Sequence, residues 1–288
     1  MSITINSNLA SLRGQRLLSN SSEQLTQVYA KLSSGQRINR PSDDAAGLAI
    51  ADSLRASQRV ATVAVRNAQD GISTITIADG ALSQIGQVLT RLAELSEQAA
   101  NGTYSTQQRS AMHSEFIALG SEIERIATTT TFNGVALLSG NSQLVLQVGF
   151  DAKSTSQITV SQLTGTLAGL GLAASGVSAM SYSITGDTAD VAQSAARFAL
   201  EGVNGAISSL TNLRGTLGAV ESRLLTTINN LSVARENYAS AESRIRDIDV
   251  AAEAAELTRL NILQQAGAAV LAQANAQPQL ALQLLRGG

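Results

Sequence analysis

The chain has 288 residues and a formal net charge of −2, with 3% aromatic residues, two prolines, no tryptophan and no cysteine. The charge argues against nucleic acid as a main partner, and the lack of cysteine excludes disulfides and thiolate chemistry. Few large rings supply little material for an ordinary globular core, whereas seams of Ala and Leu between helices need less of it.

The first twenty residues are polar throughout and lack the apolar h-region of a cleavable signal peptide. No stretch of the chain approaches the roughly 20 apolar residues of a membrane span. We therefore expect no membrane partner. If the protein leaves the cell, we expect an export route that does not read a cleavable signal.

Apolar residues spaced by seven predict a helix over the first thirty-odd residues. Its apolar positions are Leu18, Leu25, Val28 and Leu32. The sequence Ser33-Ser34-Gly35 is predicted to end this helix, because glycine favours a helix C-terminus. A short basic link, QRINRP, follows.

The second predicted helix starts after Pro41 and reaches about Ala100, where Asn101-Gly102-Thr103 breaks it. Ser42 is predicted to cap this helix, and the adjacent Asp43 and Asp44 favour the positive end of the helix dipole. An apolar ladder on sevens runs along it: Leu54, Ala61, Ala68, Ile75, Leu82 and Leu89. A long helix with one apolar seam needs a partner helix.

A third helix is predicted to open at Ser105, because Ser105 and Gln108 have capping-box spacing, and TTTTFNG is predicted to end it. The texture then changes from Val135 to about Asp187. There the runs LVLQVGF and SQITVSQL alternate like short strands around a DAKST turn. This is the only predicted β structure.

The long C-terminal helix is predicted to begin near Asp190 and to run past Ile248. Its ladder on sevens is Val203, Leu210, Leu217, Leu224, Leu231, Tyr238 and Ile245. Heptad spacing with small residues continues beyond it through Leu260, Leu263, Gly267, Val270 and Ala274, and Pro278 is predicted to bend or end the last helix. Residues 1–66 are net positive and residues 236–259 net negative, which favours pairing of the two ends.

No constellation for catalysis, a cofactor or a metal is visible. Asp43 and Asp44 are the only adjacent carboxylates, and neighbours on a helix point about 100° apart, which does not make an acid/base dyad. His113 is the only histidine, and one His without Cys does not make a typical zinc or nucleophile–base site. We predict that the chain is not an enzyme.

Long motifs at both ends resemble the conserved regions of bacterial flagellin. At the N-terminal side they are KLSSGQRINRPSDDAAGLAIADSLR, RNAQDGIST, EQAANGTYS and IERIATTTTFNG. At the C-terminal side the run ENYASAESRIRDIDVAAEAAELTRLNILQQAGAAVLAQANAQPQLALQLLR resembles the family in the same order. The resemblance covers nearly everything outside about residues 140–190.

The resemblance implies a mainly α fold: a long antiparallel helical bundle or coiled coil with paired N- and C-terminal helices and a small β-hairpin in the middle. Residues 1–44 and 246–288 would be inner-core terminal helices with a linker. Residues 45–245 would be an outer helical domain with the β-like segment at about 135–187. With only about fifty residues in the middle, the chain is similar to a short flagellin that lacks the large variable outer domains.

The function implied is that of a secreted structural subunit that self-assembles into the helical flagellar filament for swimming. The residues expected in self-assembly seams are Leu18, Leu25, Val28, Leu32, Leu260, Leu263, Val270, Leu284 and Leu285. The resemblance further implies type III export, an export chaperone and junction and cap proteins as partners, and no cofactor.

A second implied property is recognition by a Toll-like innate receptor through a stretch similar to Q-R-x-R-E-L-x-x-Q. The run LTRLAELSEQ and the following helix supply the matching residues, which are Arg91, Glu94, Leu95, Gln98 and Glu115. Ala93 stands where the family stretch has its second Arg, and Glu97 stands where it has an apolar residue. Both departures are expected to weaken such an interface.

Two alternatives remain open at the level of sequence. A hook–filament junction protein shares related terminal helices. A signalling coiled-coil hairpin would also contain two long helices, but it would predict a compact turn midway rather than a β-like segment.

Overall fold

The computed structural model describes residues 8–139, 143–161 and 163–286, with side chains as far as residue 277. Within that part of the chain the helices are α1 (Leu9–Ser34), α2 (Ala45–Ala100), α3 (Thr106–Thr129), α4 (Ala189–Arg246) and α5 (Val250–Arg286). The strands are β1 (Thr131–Phe132), β2 (Val135–Ala136), β3 (Leu144–Gln147) and β4 (Gln157–Val160), and a 3₁₀ turn covers Ser154–Ser156. The predicted mainly α fold with a small β-hairpin is confirmed.

The chain divides into two compact units. The terminal unit comprises Met1–Gln58 and Glu236–Gly288, and the central unit comprises Arg59–Arg235.

In the terminal unit α1 packs antiparallel to α5. Lys31, near the end of α1, pairs with Glu253 in the first turn of α5 at 3.6 Å. Asn8, which caps the start of α1, contacts the backbone of Ala274 far along α5 at 2.9 Å. The predicted pairing of the terminal helices is therefore confirmed.

The α1 helix ends at Gly35, whose φ of 68° is the left-handed conformation that glycine adopts at helix C-termini. The link after α1 is hydrogen-bonded to the short segment between the end of α4 and the start of α5. The Arg37 amide donates to the Arg246 carbonyl at 2.6 Å, and the Ile248 amide donates to the Gly35 carbonyl at 3.2 Å. Gln36 and Asp247 form an antiparallel bridge between these bonds.

The prediction of one helix running past Ile248 is wrong, because α4 ends at Arg246 and α5 begins at Val250. The Asp249 carboxylate accepts from the amides of Ala251 and Ala252 at 3.0 and 3.2 Å, so it caps the new helix. The bonds to Gly35 and Arg37 satisfy backbone groups that a continuous helix would have paired internally.

Asp44, rather than Ser42, caps α2. The helix starts at Ala45, and the Asp44 carboxylate accepts from the Gly47 amide at 2.9 Å. Asp43 serves the turn before it and accepts from the Arg40 and Asn39 amides at 2.9 and 3.0 Å. These two bonds, that from Arg40 first, hold the pKa of Asp43 below its ordinary value. Pro278 does not end α5, which continues to Arg286.

In the central unit α2 and α4 run antiparallel with their apolar ladders facing inward. Two contacts establish this antiparallel direction. Arg214 forms an ion pair with Asp79 at 2.7 Å, and Leu210, earlier in α4, lies against Gly86, later in α2. The ladder members buried here are Ala61, Ala68, Ile75, Leu82, Leu89, Val203, Leu210, Leu217, Leu224 and Leu231. Burying one continuous seam from each helix accounts for a core with few aromatic rings.

The α3 helix and the two β-hairpins complete the central core. Ser105 and Gln108 form the predicted capping box at the start of α3, and Phe116 is buried against the ladders. β1 and β2 are joined by Asn133 and Gly134, both with positive φ, as a tight hairpin turn requires. β3 pairs antiparallel with β4 in the register Leu144↔Val160 to Gln147↔Gln157, which confirms the predicted strands.

Candidate assembly surface

Both terminal helices carry large apolar side chains that the terminal unit leaves in solvent. On α1 and α5 these are Leu9, Leu12, Leu17, Tyr29, Val250, Ile262, Leu263 and Val270. Two paired helices bury only the face that each turns to the other, so further apolar positions on either helix stay exposed. Exposed apolar side chains that line a contiguous surface are typical of a protein–protein contact.

The predicted seam residues differ in how far the chain itself covers them. Val28 and Leu260 are buried within the chain. Leu18, Leu25 and Leu32 are half-buried. Leu263 and Val270 are 46% and 63% exposed. Leu284 and Leu285 belong to helix α5, but the structure does not describe their side chains.

Small residues let α1 and α5 approach closely. A Cβ placed on Gly14 would lie 3.0 Å from the Cδ1 of Leu271, and one placed on Gly267 would lie 3.5 Å from the Cδ1 of Leu18. The Gly14 position has little spare room, so the seam covered within the chain is tight. The apolar side chains that remain exposed are therefore excess to this pair rather than signs of loose packing.

Ion pairs join the two ends of the chain, as the charge balance predicts. Besides Lys31 with Glu253, Arg246 pairs with Asp52 at 3.5 Å and Arg55 lies 4.0 Å from Glu242. Asp52 and Arg55 are well exposed, whereas Lys31, Glu242, Arg246 and Glu253 keep 30% or less of their side chains in solvent. Ion pairs with a solvent-exposed member stabilise weakly. The charges orient the two ends, and the apolar seam supplies most of the packing energy.

On the central unit, four of the five residues predicted for receptor recognition share one exposed patch. The Arg91 guanidinium donates to Glu115 at 2.8 Å and to Glu94 at 2.9 Å. These hydrogen bonds, that to Glu115 first, raise the pKa of Arg91 above its ordinary value. Gln98 is exposed nearby and donates to the Tyr104 hydroxyl at 3.0 Å.

Leu95 does not belong to that patch. It is buried in the core cluster of the central unit, on the side of α2 that faces the ladders. A side chain in that position has no surface to offer a receptor, so we remove Leu95 from the predicted contact residues. The helical period explains the error, since residues adjacent in sequence point to different sides of α2.

Arg109 is a buried residue that the sequence did not single out. It is 1% exposed, and its guanidinium donates to the carbonyls of Asn101 and Ala189, both at 3.0 Å. It thereby ties the loop after α2 to the start of α4. A lone arginine on a helix carries no sequence signal of burial, so only the packing shows this role.

The described residues hold no group of three or more His, Asp and Glu side chains able to bind a metal ion. His113 is half-buried and stacks on Phe116 with 6.4 Å between ring centroids. Within the same part of the chain, no helix combines the length and apolarity that crossing a bilayer requires.

The family model for the bacterial flagellin N-terminal helical region matches residues 5–143, and that for the C-terminal helical region matches residues 200–285. The chain belongs to the bacterial flagellin family. The flagellin of Halalkalibacterium halodurans is 42% identical over 283 residues, which cover 98% of this chain and 99% of that protein. The flagellin of Bacillus subtilis is 40% identical over 308 residues, with coverage of 98% and 99%.

Among solved structures, one described as a flagellar hook-associated protein from Vibrio parahaemolyticus has a TM-score of 0.59 and 14% identity. The matched region covers 71% of this chain and 100% of the Vibrio protein, and at this identity the likeness shows the fold alone. The relatives that match nearly the whole chain are flagellins, so the junction-protein and signalling-hairpin alternatives give way. This flagellin is a structural protein of the extracellular flagellar filament, and its match to relatives of similar length confirms a short form.

Proposed function

We propose that copies of this flagellin assemble through the exposed apolar faces of α1 and α5. Val270 and Leu263 are the predicted seam residues that the single chain leaves exposed, at 63% and 46%. A neighbouring copy that covers them removes apolar area from water and so favours the polymer. This exposure is the observation that carries the proposal.

Assembly through the terminal helices implies a layered subunit. Residues 1–44 and 246–288 form the inner layer around the filament axis, and residues 45–245 form the outer layer. The paired α1 and α5 leave apolar residues uncovered on both helices, and neighbouring copies in the inner layer would cover them. Contacts that repeat from copy to copy without closing generate a helical filament.

The exposed apolar faces of α1 and α5 must also be shielded from one another before the subunit reaches the filament. Ile262, Leu263 and Val270 on α5 are exposed in the single chain, and an export chaperone that binds them would prevent premature association. Junction and cap proteins at the ends of the filament would meet the equivalent faces of the terminal subunits. These partners are those expected of the family.

Seed lengthening tests the proposed surface. Val270→Asp puts a charge on the face and is expected to stop addition to filament seeds at protein concentrations where the wild type grows. Val177→Asp is the matched control, because Val177 is 44% exposed in the middle segment expected on the outside of the filament. It should lengthen seeds at the wild-type rate.

Circular dichroism of both variants checks that the helices are retained. Electron microscopy and sedimentation measure the added length. Wild-type growth of Val270→Asp would overturn the proposal, as would an equal loss in Val177→Asp.

The patch of Arg91, Glu94, Gln98 and Glu115 is proposed as a contact for a Toll-like innate receptor. The observation in its favour is that Arg91, Glu94 and Glu115 are joined by hydrogen bonds on an exposed surface. An arginine held in place by two carboxylates is a pre-oriented contact group, and arginine is frequent among residues that dominate binding energy. Glu97 is exposed beside the patch and adds a negative charge.

Binding of the purified subunit to the receptor ectodomain tests this second candidate. Arg91→Ala is expected to weaken binding about tenfold, the effect of removing a contact worth roughly 1–2 kcal/mol. Arg125→Ala is the matched control, because Arg125 is also exposed and pairs with Glu122 three residues away. Unchanged affinity of Arg91→Ala, or an equal loss for Arg125→Ala, would end the idea.

A further inference from the structure

A side chain from the start of the chain binds the carbonyl that Pro278 leaves without a helical donor. Proline has no amide hydrogen, so the carbonyl four residues earlier in an α-helix loses its usual partner. In α5 that carbonyl belongs to Ala274, which is buried. The Nδ2 of Asn8 donates to it at 2.9 Å. A buried carbonyl without a partner would be costly, so this bond matters for packing.

Asn8 uses both ends of its amide. Its Oδ1 accepts from the Ser11 amide at 2.9 Å and caps α1, while its Nδ2 reaches across to α5. One turn further, the Ser11 hydroxyl donates to the Oδ1 of Asn275 at 2.7 Å. Two cross-helix bonds therefore meet at one point, and Ser11 and Ala274 are both buried there.

The apolar seam alone does not fix how α1 lies along α5. Leu18, Leu25 and Leu32 repeat on sevens, and α5 repeats Leu260, Gly267 and Ala274 on sevens. A slip of seven residues would again place apolar or small residues opposite one another. In heptad-based helix pairs a polar residue in the seam specifies the register, because a slip leaves it without its partner.

We infer that Asn8 and Pro278 together set the register of α1 on α5. In a slipped pair the Ala274 carbonyl would lack both its helical donor and Asn8, whereas in the observed pair it has Asn8. The consequence for the filament rests on the proposed assembly surface: a fixed register presents one constant outer face to the neighbouring copies.

Introduced cysteines can read the register, since the chain has none of its own. A Cβ on Gly14 would lie 3.9 Å from the Cβ of Leu271, a separation that a disulfide spans. Gly14→Cys with Leu271→Cys therefore reports the observed register. Gly14→Cys with Gln264→Cys reports a register slipped by seven residues. Both pairs are oxidised mildly in the full chain, free and after addition to seeds.

Asn8→Asp is the informative substitution, because it keeps an oxygen for the α1 cap and removes the donor to Ala274. It is expected to lower the ratio of observed to slipped disulfide about fivefold, the effect of one net hydrogen bond. In a Pro278→Ala background the amide at position 278 can bind the Ala274 carbonyl. There the same substitution is expected to change the ratio by less than about twofold.

No change of the ratio in the presence of Pro278, or an equal change in both backgrounds, would overturn the inference. Seed lengthening is measured in parallel to separate it from the proposed function. If Val270→Asp grows normally while the disulfide ratios behave as expected, the assembly surface fails and the register stands.

Discussion

The guanidinium of Arg37 binds the carbonyl of Ile245, donating from Nη2 at 2.8 Å and from Nε at 3.3 Å. It thus caps the last turn of α4 from the link between α1 and α2. Cations at a helix C-terminus satisfy free carbonyls and complement the negative end of the dipole. The break between α4 and α5 is therefore held by residues from the opposite end of the sequence.

Replacing Arg37 by lysine should loosen this break. A lysine keeps the charge but cannot donate from two nitrogens of a planar fork, so about 1 kcal/mol of local stability should be lost. Hydrogen exchange at the amides of residues 246–249 should then be about fivefold faster. Arg16→Lys on the exposed side of α1 is the control and should leave these amides unchanged. Equal exchange in wild type and Arg37→Lys would contradict the capping role.

Two adjacent leucines of α4 separate core packing from surface exposure. Leu224 is completely buried and Leu225 is 50% exposed. Leu224→Ala should lower the free energy of unfolding by roughly 2–5 kcal/mol, since it removes buried carbon and leaves a cavity. Leu225→Ala should cost less than about 1 kcal/mol. Urea unfolding followed by circular dichroism measures both, and similar losses would mean that the α4 ladder does not form the core.

Features that depend on neighbouring residues were predictable from sequence. The capping box of Ser105 and Gln108 needs only a spacing of three, and the ladders need only a repeat of seven. The sequence predicts Ser42 as the cap of α2, whereas Asp44 caps it, because the sequence offers three adjacent capping residues and backbone geometry selects one.

Features that depend on distant partners were missed. Asp247, Ile248 and Asp249 fit a continuous helix, because Ile248 follows the ladder residue Ile245 by three positions, the spacing between the two apolar positions of a heptad. The break there is stabilised by Gly35 and Arg37, more than 200 positions away. Pro278 was expected to bend or end α5, but Asn8 binds the carbonyl that the proline frees. Neither long-range contact leaves a pattern in the local sequence.

The buried Arg109 should tolerate no other cation. A lysine at this position could not reach the carbonyls of both Asn101 and Ala189, so Arg109→Lys should destabilise the chain by roughly 1.5–3 kcal/mol. Arg125→Lys, at an exposed ion pair, should cost at most about 0.5 kcal/mol. Urea unfolding distinguishes them, and wild-type stability of Arg109→Lys would show that the guanidinium does not hold this loop.

His113 should make stability depend on pH below neutrality. Desolvation lowers the pKa of His113 below its ordinary value of about 6.5. As the pH falls through 6.5 the unfolded chain takes up a proton that the folded chain resists, so the folded state loses stability. The free energy of unfolding of wild type minus that of His113→Gln should therefore decrease between about pH 7.5 and pH 5.

Urea titrations of the two proteins across this range give that difference. A difference that stays constant would contradict the lowered pKa of His113. A difference that grows as the pH falls would mean that folding raises this pKa instead. Because only this residue differs, the titration of the carboxylates largely cancels.

Hydrogen exchange of α1 and α5 in the free subunit and in the filament tests the central claim most directly. If neighbouring copies cover the exposed faces around Val270 and Leu263, amides of both helices should exchange at least about tenfold more slowly in the filament. Equal exchange of these helices in the two states would show that assembly does not cover them, and would contradict the proposed surface.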